Sequence, residues 1–398
     1  MLTKAFIPYK GYYSTPFVKW QGSLANENSI VLGAATAKRW IAEKKWDSQL
    51  FDYLYLGITI GQKHIFYGST WAAGMMGIGG VPGVTLGQAC TTSTTCIFQS
   101  GMAIENGLFD TGFCLMTDRA SNGPHTIWPN PKGPGGQVES ENWMMDNFGK
   151  DPWAGSAMIQ TAENVAKEFG ITREQCDALA LRRSEQYSES LADDRAFHKR
   201  FMFPAEIAVS RKKKILVEAD DGIFPSTKEG LEKLRPVLPN GVLTFGAQTH
   251  PADGNVGVTV TTKEKAHELS ADSNVEIQML SYGFSRVKKG FMATAPVPAV
   301  QMALKNAGIT INDVKAIKTH NPFVVNDIYF ANELNIDADG FNNYGSPLVY
   351  GHPQAPTAGR CIIEGIEEVV QLGGGYLLWG GCAAGDTGAA LVLKINCK

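Results

Sequence analysis

Two stretches of this chain carry the same rhythm, and that repetition restricts the fold more than any other feature. Short β-branched and aromatic runs alternate with segments of helical spacing near both ends. Residues 5–9, 51–60, 84–86 and 111–116 read as strands. Between them, residues 28–42 carry Ile30, Leu32, Ala35, Ala37, Trp40 and Ile41 at helical spacing, and residues 69–76 and 97–106 read as further helices. After residue 275 the alternation returns, with strands at 275–283, 314–319, 376–379 and 389–395 and helices at 298–307, 328–334 and 358–372. Such βαβα order argues for a layered α/β fold in two similar halves.

The middle of the chain differs. Pro129-Asn130-Pro131-Lys132-Gly133-Pro134-Gly135-Gly136 is a loop, flanked by Trp128, Trp143 and Trp153, which argue for order. Two helices follow at 156–169 and 172–190. Thr172-Arg173-Glu174-Gln175 opens the second with a capping box. Arg211-Lys212-Lys213-Lys214 reads as the tip of a solvated hairpin, with a phosphate contact as the sharper alternative.

At 398 residues the chain exceeds one ordinary core and predicts two or three domains. Hydrophobic residues make up 44% and charged residues 19%, with a net charge of −3, so there is no electrostatic footprint for nucleic acid or an anionic membrane. No apolar run approaches a membrane span, and Met1-Leu2-Thr3-Lys4 does not open a leader. The seven cysteines are odd in number and lack paired spacing, which predicts reduced thiols and a cytoplasmic location.

Candidate chemistry sits at the glycine-rich turns. Gly83 through Ser93 runs from a β-prone segment through Cys90 to hydroxyl residues and then a helix. A thiol there lies near the positive end of a helix dipole, which favours the nucleophilic thiolate and predicts a lowered pKa. Taken alone, Cys90 reads more readily as a small buried hydrophobe. The last third adds His320 in Thr319-His320-Asn321-Pro322-Phe323, His352 in Tyr350-Gly351-His352-Pro353 and Cys382 in Gly380-Gly381-Cys382-Ala383-Ala384-Gly385-Asp386. His320 and Cys382 follow predicted strand ends, where open α/β sheets collect ligands. A histidine could serve as base to a cysteine nucleophile, and the second cysteine as acid and base in turn. Small residues around Cys382 leave backbone N–H groups free to meet an oxyanion. The cysteine and histidine types also suit zinc, but their separations match no compact zinc signature, so no metal is expected.

These segments together resemble the thiolase family. Thr15-Pro16-Phe17-Val18-Lys19-Trp20-Gln21-Gly22-Ser23-Leu24 is similar to T-P-F-x-K-x-x-G-S-L, and Pro82 through Cys90 to P-A-x-T-V-N-x-x-C. Thr161-Ala162-Glu163-Asn164-Val165-Ala166 with Arg173 to Asp177 resembles T-A-E-N-V-A…R-E-x-Q-D. Gly351-His352-Pro353 with Arg360 resembles G-H-P-x-G-A-S-G-A-R, and Cys382 to Gly388 resembles C-x-G-G-x-x-G. The resemblance runs in order along nearly the whole chain.

It implies a duplicated α-β-α-β-α layered fold. An N-terminal half at 1–119 would be completed by 251–274, with a loop domain at 120–250 and a C-terminal half at 275–398. The implied activity is CoA-dependent cleavage of a 3-oxoacyl-CoA, or the reverse Claisen condensation, with CoA as co-substrate and no bound cofactor. Cys90 would carry the acyl group, His352 activate it, and Cys382 move the protons. His320 with His352 would form one oxyanion hole, and the N–H groups of Cys90 and Ala384 the other. Thr249 would lie near the pantetheine arm of CoA. A homodimer or homotetramer is implied, and a small acyl-CoA-binding subunit can accompany the nearest branch.

Departures from the pattern bear on the substrate. His320-Asn321-Pro322-Phe323 replaces N-E-A-F and is similar to the H-D-x-F of the sterol-carrier-type branch. Gln354-Ala355-Pro356-Thr357-Ala358 replaces x-G-A-S-G, Asp118 falls within the segment matching G-G-x-E-S-M, and Ile223 stands where many thiolases place an arginine near the adenine. These changes point to a branched, aromatic or dicarboxylic acyl chain. Two other readings remain: a catalytically degenerate acyl-CoA-binding or scaffold subunit, and another condensing enzyme of the superfamily. Cys382 argues against the second, because those relatives usually lack it.

Overall fold

The repetition in the sequence is a repetition of topology. The computed structural model describes residues 1–398. In the C-terminal half, strands Val314–His320, Gly374–Ala383, Thr387–Cys397 and Val275–Arg286 lie side by side in that order. The first pair is parallel and the next two pairs are antiparallel. In the N-terminal half, Tyr53–Gly57, Thr111–Arg119, Ala252–Thr261 and Tyr12–Ser14 repeat the order and the same pairing senses. Gly83–Leu86 adds a parallel strand at the outer edge. Short Phe6–Ile7 pairs with both Ala252–Thr261 and Val275–Arg286, joining the halves into one 11-stranded sheet.

Sequence periodicity overlooked Ala252–Thr261. Every residue of that strand is buried, and Gly, Asn, Asp and Thr interrupt its apolar pattern. Its paired neighbours hold it in place where local propensity does not.

Helices complete five layers. Ser29–Glu43 and Gly68–Met76 cover one outer face, and Pro296–Ala307 with Val324–Leu334 the other. Thr92–Glu105 and Ala355–Gln371 pack against each other in the middle. Ala355–Gln371 is buried on nearly every side, so its charged residues must be paired there. Arg360 makes a bidentate contact to Asp220 at 2.6 and 2.7 Å and a bond to Glu364 at 2.9 Å. Glu367 accepts from Lys10 and Arg200 at 2.6 and 2.8 Å. Two of these partners, Asp220 and Arg200, belong to the intervening segment, so that segment is tied to the central helix by ion pairs.

The segment itself holds helices Met158–Phe169 and Arg173–Ser190, the second opened by the expected capping box at Thr172. Arg211 and Lys212 lie at the exposed turn between paired strands Ala205–Ser210 and Lys213–Val217, as the hairpin reading expected.

Candidate active site

Cys90 lies where the Gly83–Leu86 strand gives way, through a single 3-10 turn at Ala89–Thr91, to the central helix Thr92–Glu105. That helix begins at Thr92 rather than Ile97. Thr and Ser are weak helix formers and hide its first turn from a propensity reading. Here the hydroxyls serve the turn instead: Thr92 Oγ1 accepts from the Gln88 N–H at 2.8 Å and donates to the Ala89 carbonyl at 2.7 Å. Ala89 takes a left-handed φ of 45°, a strain of about 1–3 kcal/mol held by the surroundings immediately before Cys90.

His352 occupies the corresponding place in the other half, just before the central helix Ala355–Gln371. Gly351 has φ 92°, and a Cβ there would sit 2.7 Å from His250 Cε1, so only glycine fits the approach. The His352 N–H donates to the His250 carbonyl at 2.8 Å. Its ring then spans two partners, Nε2 lying 3.2 Å from Cys90 Sγ and Nδ1 2.6 Å from Thr357 Oγ1. With Nδ1–H donating to Thr357, Nε2 keeps its lone pair toward the thiol. Ser93 Oγ donates to the Ala355 carbonyl, fastening the two helix starts together.

His320 ends strand Val314–His320 and lies beside His352, the rings tilted by 39° with centroids 4.2 Å apart. It is fully buried, yet neither ring nitrogen has a partner in the protein. Cys90 Sγ and one nitrogen from each histidine lie within 4.8 Å of one another. Cys382 sits near the end of Gly374–Ala383, still paired with Gly388 across the turn. Asn326 Nδ2 donates to its sulfur at 3.2 Å.

Burial controls the electrostatics. It pushes the Cys90 thiol up to about 12, against the N–H groups of Ala384 and Cys90, which pull it down. The expectation of a lowered pKa from the helix dipole is therefore corrected: desolvation outweighs the dipole at this depth. Burial likewise lowers His352, reinforced by His320, and lowers His320 to about 3. Cys382 is raised by burial and then by the nearby Cys90. The resting site is a neutral thiol facing a neutral imidazole.

Thr249 lies apart from this cluster, against the turns that carry the histidines. Its N–H donates to the Pro322 carbonyl at 2.8 Å and its hydroxyl to the Pro347 carbonyl at 2.5 Å, leaving hydroxyl lone pairs for a ligand.

A family model described as the thiolase N-terminal domain matches residues 11–264, and one described as the thiolase C-terminal domain matches residues 274–395. The chain belongs to the thiolase family. It is 28% identical over 389 residues to acetyl-CoA acetyltransferase of Escherichia coli, covering 96% of each chain. It is 26% identical over 389 residues to 3-ketoacyl-CoA thiolase of Bacillus subtilis, covering 94% of this chain and 95% of the other. The crystal structure of human mitochondrial 3-ketoacyl-CoA thiolase superposes with a TM-score of 0.89 over 98% of each chain at 23% identity, which shows the shared fold.

Three residues beside Cys90, His352 and Cys382 were not singled out from sequence. Gln354 carries a left-handed φ of 68° and places Oε1 3.5 Å from Cys90 Sγ. Thr357 orients His352, and Asn326 meets Cys382. Gln354 and Thr357 stand in the segment that departs from the thiolase motif, so that departure was the available signal. Nothing local marks Asn326, because its relation to Cys382 arises only when the Val324–Leu334 helix packs beside Gly374–Ala383.

Proposed function

We propose that this thiolase cleaves a 3-oxoacyl-CoA with CoA, or runs the reverse Claisen condensation, through an acyl group on Cys90. The observation that carries the reading is the 3.2 Å contact between Cys90 Sγ and His352 Nε2, with Thr357 fixing the far side of the ring. His352 takes the thiol proton and the thiolate attacks the 3-keto carbon. The resulting alkoxide is met by the N–H groups of Cys90 and Ala384. The bond between the α- and β-carbons then breaks. The oxygen of the departing thioester enolate is held by His320 and protonated His352, and its α-carbon takes the Cys382 proton. Cys382 thiolate recovers a proton from CoA, whose sulfur attacks the acyl-Cys90 thioester. Cys90 leaves as thiolate and regains its proton from His352. Ping-pong kinetics follow.

Neutral histidines suit these duties. A base must accept a proton, and a neutral His320 can donate one ring N–H without carrying charge into a buried site. Thr249 is assigned to the pantetheine arm, and its free lone pairs support that role. The altered segment around Gln354 supports a branched, aromatic or dicarboxylic acyl chain.

The domain reading assigns 120–250 as a loop domain between a half at 1–119, completed by 251–274, and a half at 275–398. A homodimer or homotetramer is supported by the unpaired outer edge of Gly83–Leu86 and by exposed Ile127, Trp128 and Val138. All seven cysteines are free, which fits a reducing cytoplasm. No helix is long and apolar enough to cross a membrane.

The test is thiolysis of short, long, branched and aromatic 3-oxoacyl-CoAs with CoA. Cleavage of any supports the reaction and ranks the acyl chains. No cleavage across the panel, with CoA binding intact, would instead favour an acyl-CoA-binding subunit.

A further inference from the structure

We propose that Cys90, His320 and His352 also form a three-ligand site for a borderline-soft divalent cation, zinc above all, which silences the nucleophile reversibly. Their separations in sequence gave no such sign; the fold assembles the set. One ligand atom from each residue lies within 4.8 Å of the others, and Sγ and Nε2 are already 3.2 Å apart. Zinc bonds of about 2.0–2.3 Å place tetrahedral ligands roughly 3.4–3.6 Å apart, so the Sγ–Nε2 pair must open slightly while any wider separation in the set closes. One sulfur and two imidazoles are the donor types zinc prefers.

His320 is the independent sign. A fully buried imidazole with both nitrogens unpartnered is uncommon, because each forgone hydrogen bond is costly. That ring packs at a tilt against His352 and offers a nitrogen to the space beside Cys90. Thr357 supplies the outer contact that zinc-bound histidines commonly have, fixing the tautomer that turns the Nε2 lone pair inward.

Metal binding exchanges one bond for another without redox chemistry. The Cys90 S–H bond breaks, its proton leaves to solvent, and a sulfur–zinc bond forms. Three protein ligands leave the fourth position to water or an incoming thiol. The metal occupies the sulfur lone pair that would attack the substrate and the imidazole nitrogen that would accept the proton. Zinc and 3-oxoacyl-CoA therefore exclude each other. The site stands on geometry alone, and its test reads metal rather than turnover, so its failure and that of the thiolysis reading are distinguishable.

The test uses the full chain, freed of metal by chelation, in a Cys397→Ser background, because Cys397 is the one cysteine that is not buried. Cobalt(II) serves as the spectroscopic probe. One equivalent should produce a thiolate-to-cobalt charge-transfer band in the near ultraviolet. The band should vanish in Cys90→Ala and persist in Cys382→Ala. His320→Asn should weaken binding by about a hundredfold or more, beyond the usual loss of an outer contact. In the wild-type chain, zinc should slow alkylation of Cys90 by iodoacetamide, and a chelator should restore it. That arm needs no variant to fold. A full band in Cys90→Ala, unchanged affinity in His320→Asn, or alkylation indifferent to zinc would overturn the proposal.

Discussion

Cys90 Sγ and His352 Nε2 face each other at 3.2 Å across the junction of the two central helices, one residue from each half of the duplicated fold. The pair is neutral at rest, because burial raises the thiol to about 12 and lowers the imidazole. Alkylation of Cys90 by iodoacetamide should therefore accelerate by about tenfold per pH unit between about pH 7 and 9, without a plateau. A plateau near neutral pH would show a preformed thiolate–imidazolium pair instead.

Thr357 holds the ring whose far nitrogen meets Cys90. Thr357→Val keeps the shape and removes the partner at Nδ1. Its hydrogen bond strengthens as the ring becomes imidazolium, so about 1.5–3 kcal/mol of transition-state stabilisation should be lost. Turnover should fall roughly ten- to a hundredfold, and because a buried Nδ1–H is left without a partner, urea unfolding should register a loss of about 1–3 kcal/mol. Full activity in Thr357→Val would detach the tautomer from catalysis.

Cys382 is assigned the α-carbon proton and not the acyl group. Cys382→Ala should still acquire an acyl mass on Cys90 from an acyl-CoA, yet fail to exchange α-protons of that substrate with deuterium from solvent. Exchange at the wild-type rate in this variant would remove Cys382 from the proposed role.

Asp220 tests how the segment between the halves is held. Its carboxylate pairs bidentately with Arg360, and both side chains are wholly buried. Asp220→Ala leaves a guanidinium in the interior with only Glu364 as acidic partner, and should cost about 3–5 kcal/mol in urea unfolding. A loss below about 1 kcal/mol would mean that water or another group replaces the carboxylate.

Buried neutral histidines also give stability a pH dependence with a definite sign. His320 is lowered from 6.5 to about 3 and His198 from 6.5 to about 4, both chiefly by burial. Below pH 6.5 the unfolded chain binds protons that the folded chain refuses, so their contribution is present above that value and is lost as pH falls toward the folded pKa values. Each unmatched proton adds a slope of about 1.4 kcal/mol per pH unit. His320→Asn should flatten the acid limb of the stability profile by up to that amount, and an unchanged slope would count against a neutral buried ring.

Much of this was legible in the sequence where pattern and chemistry coincide. The alternation of strands and helices identified the two halves, glycine-rich turns marked Cys90, His352 and Cys382, and a predicted strand end marked His320. What escaped depends on packing. Ala252–Thr261 is buried throughout and lacks a period, so pattern does not mark it as a strand, although the family resemblance places 251–274 with the N-terminal half. The thiol pKa was misjudged because the helix dipole is visible in sequence while the depth of burial is not. Asn326 reaches Cys382 only through tertiary contact, and the three-ligand cluster spans residues far apart in the chain.

In the proposed reaction Cys90 carries the acyl group. Intact-protein and peptide mass spectrometry after rapid quench with a cleavable 3-oxoacyl-CoA tests it most directly. One acyl mass is expected, on the Cys90 peptide, discharged by added CoA and missing from Cys90→Ala. An acyl adduct that persists in Cys90→Ala, or that sits on another residue in the wild-type chain, would contradict it.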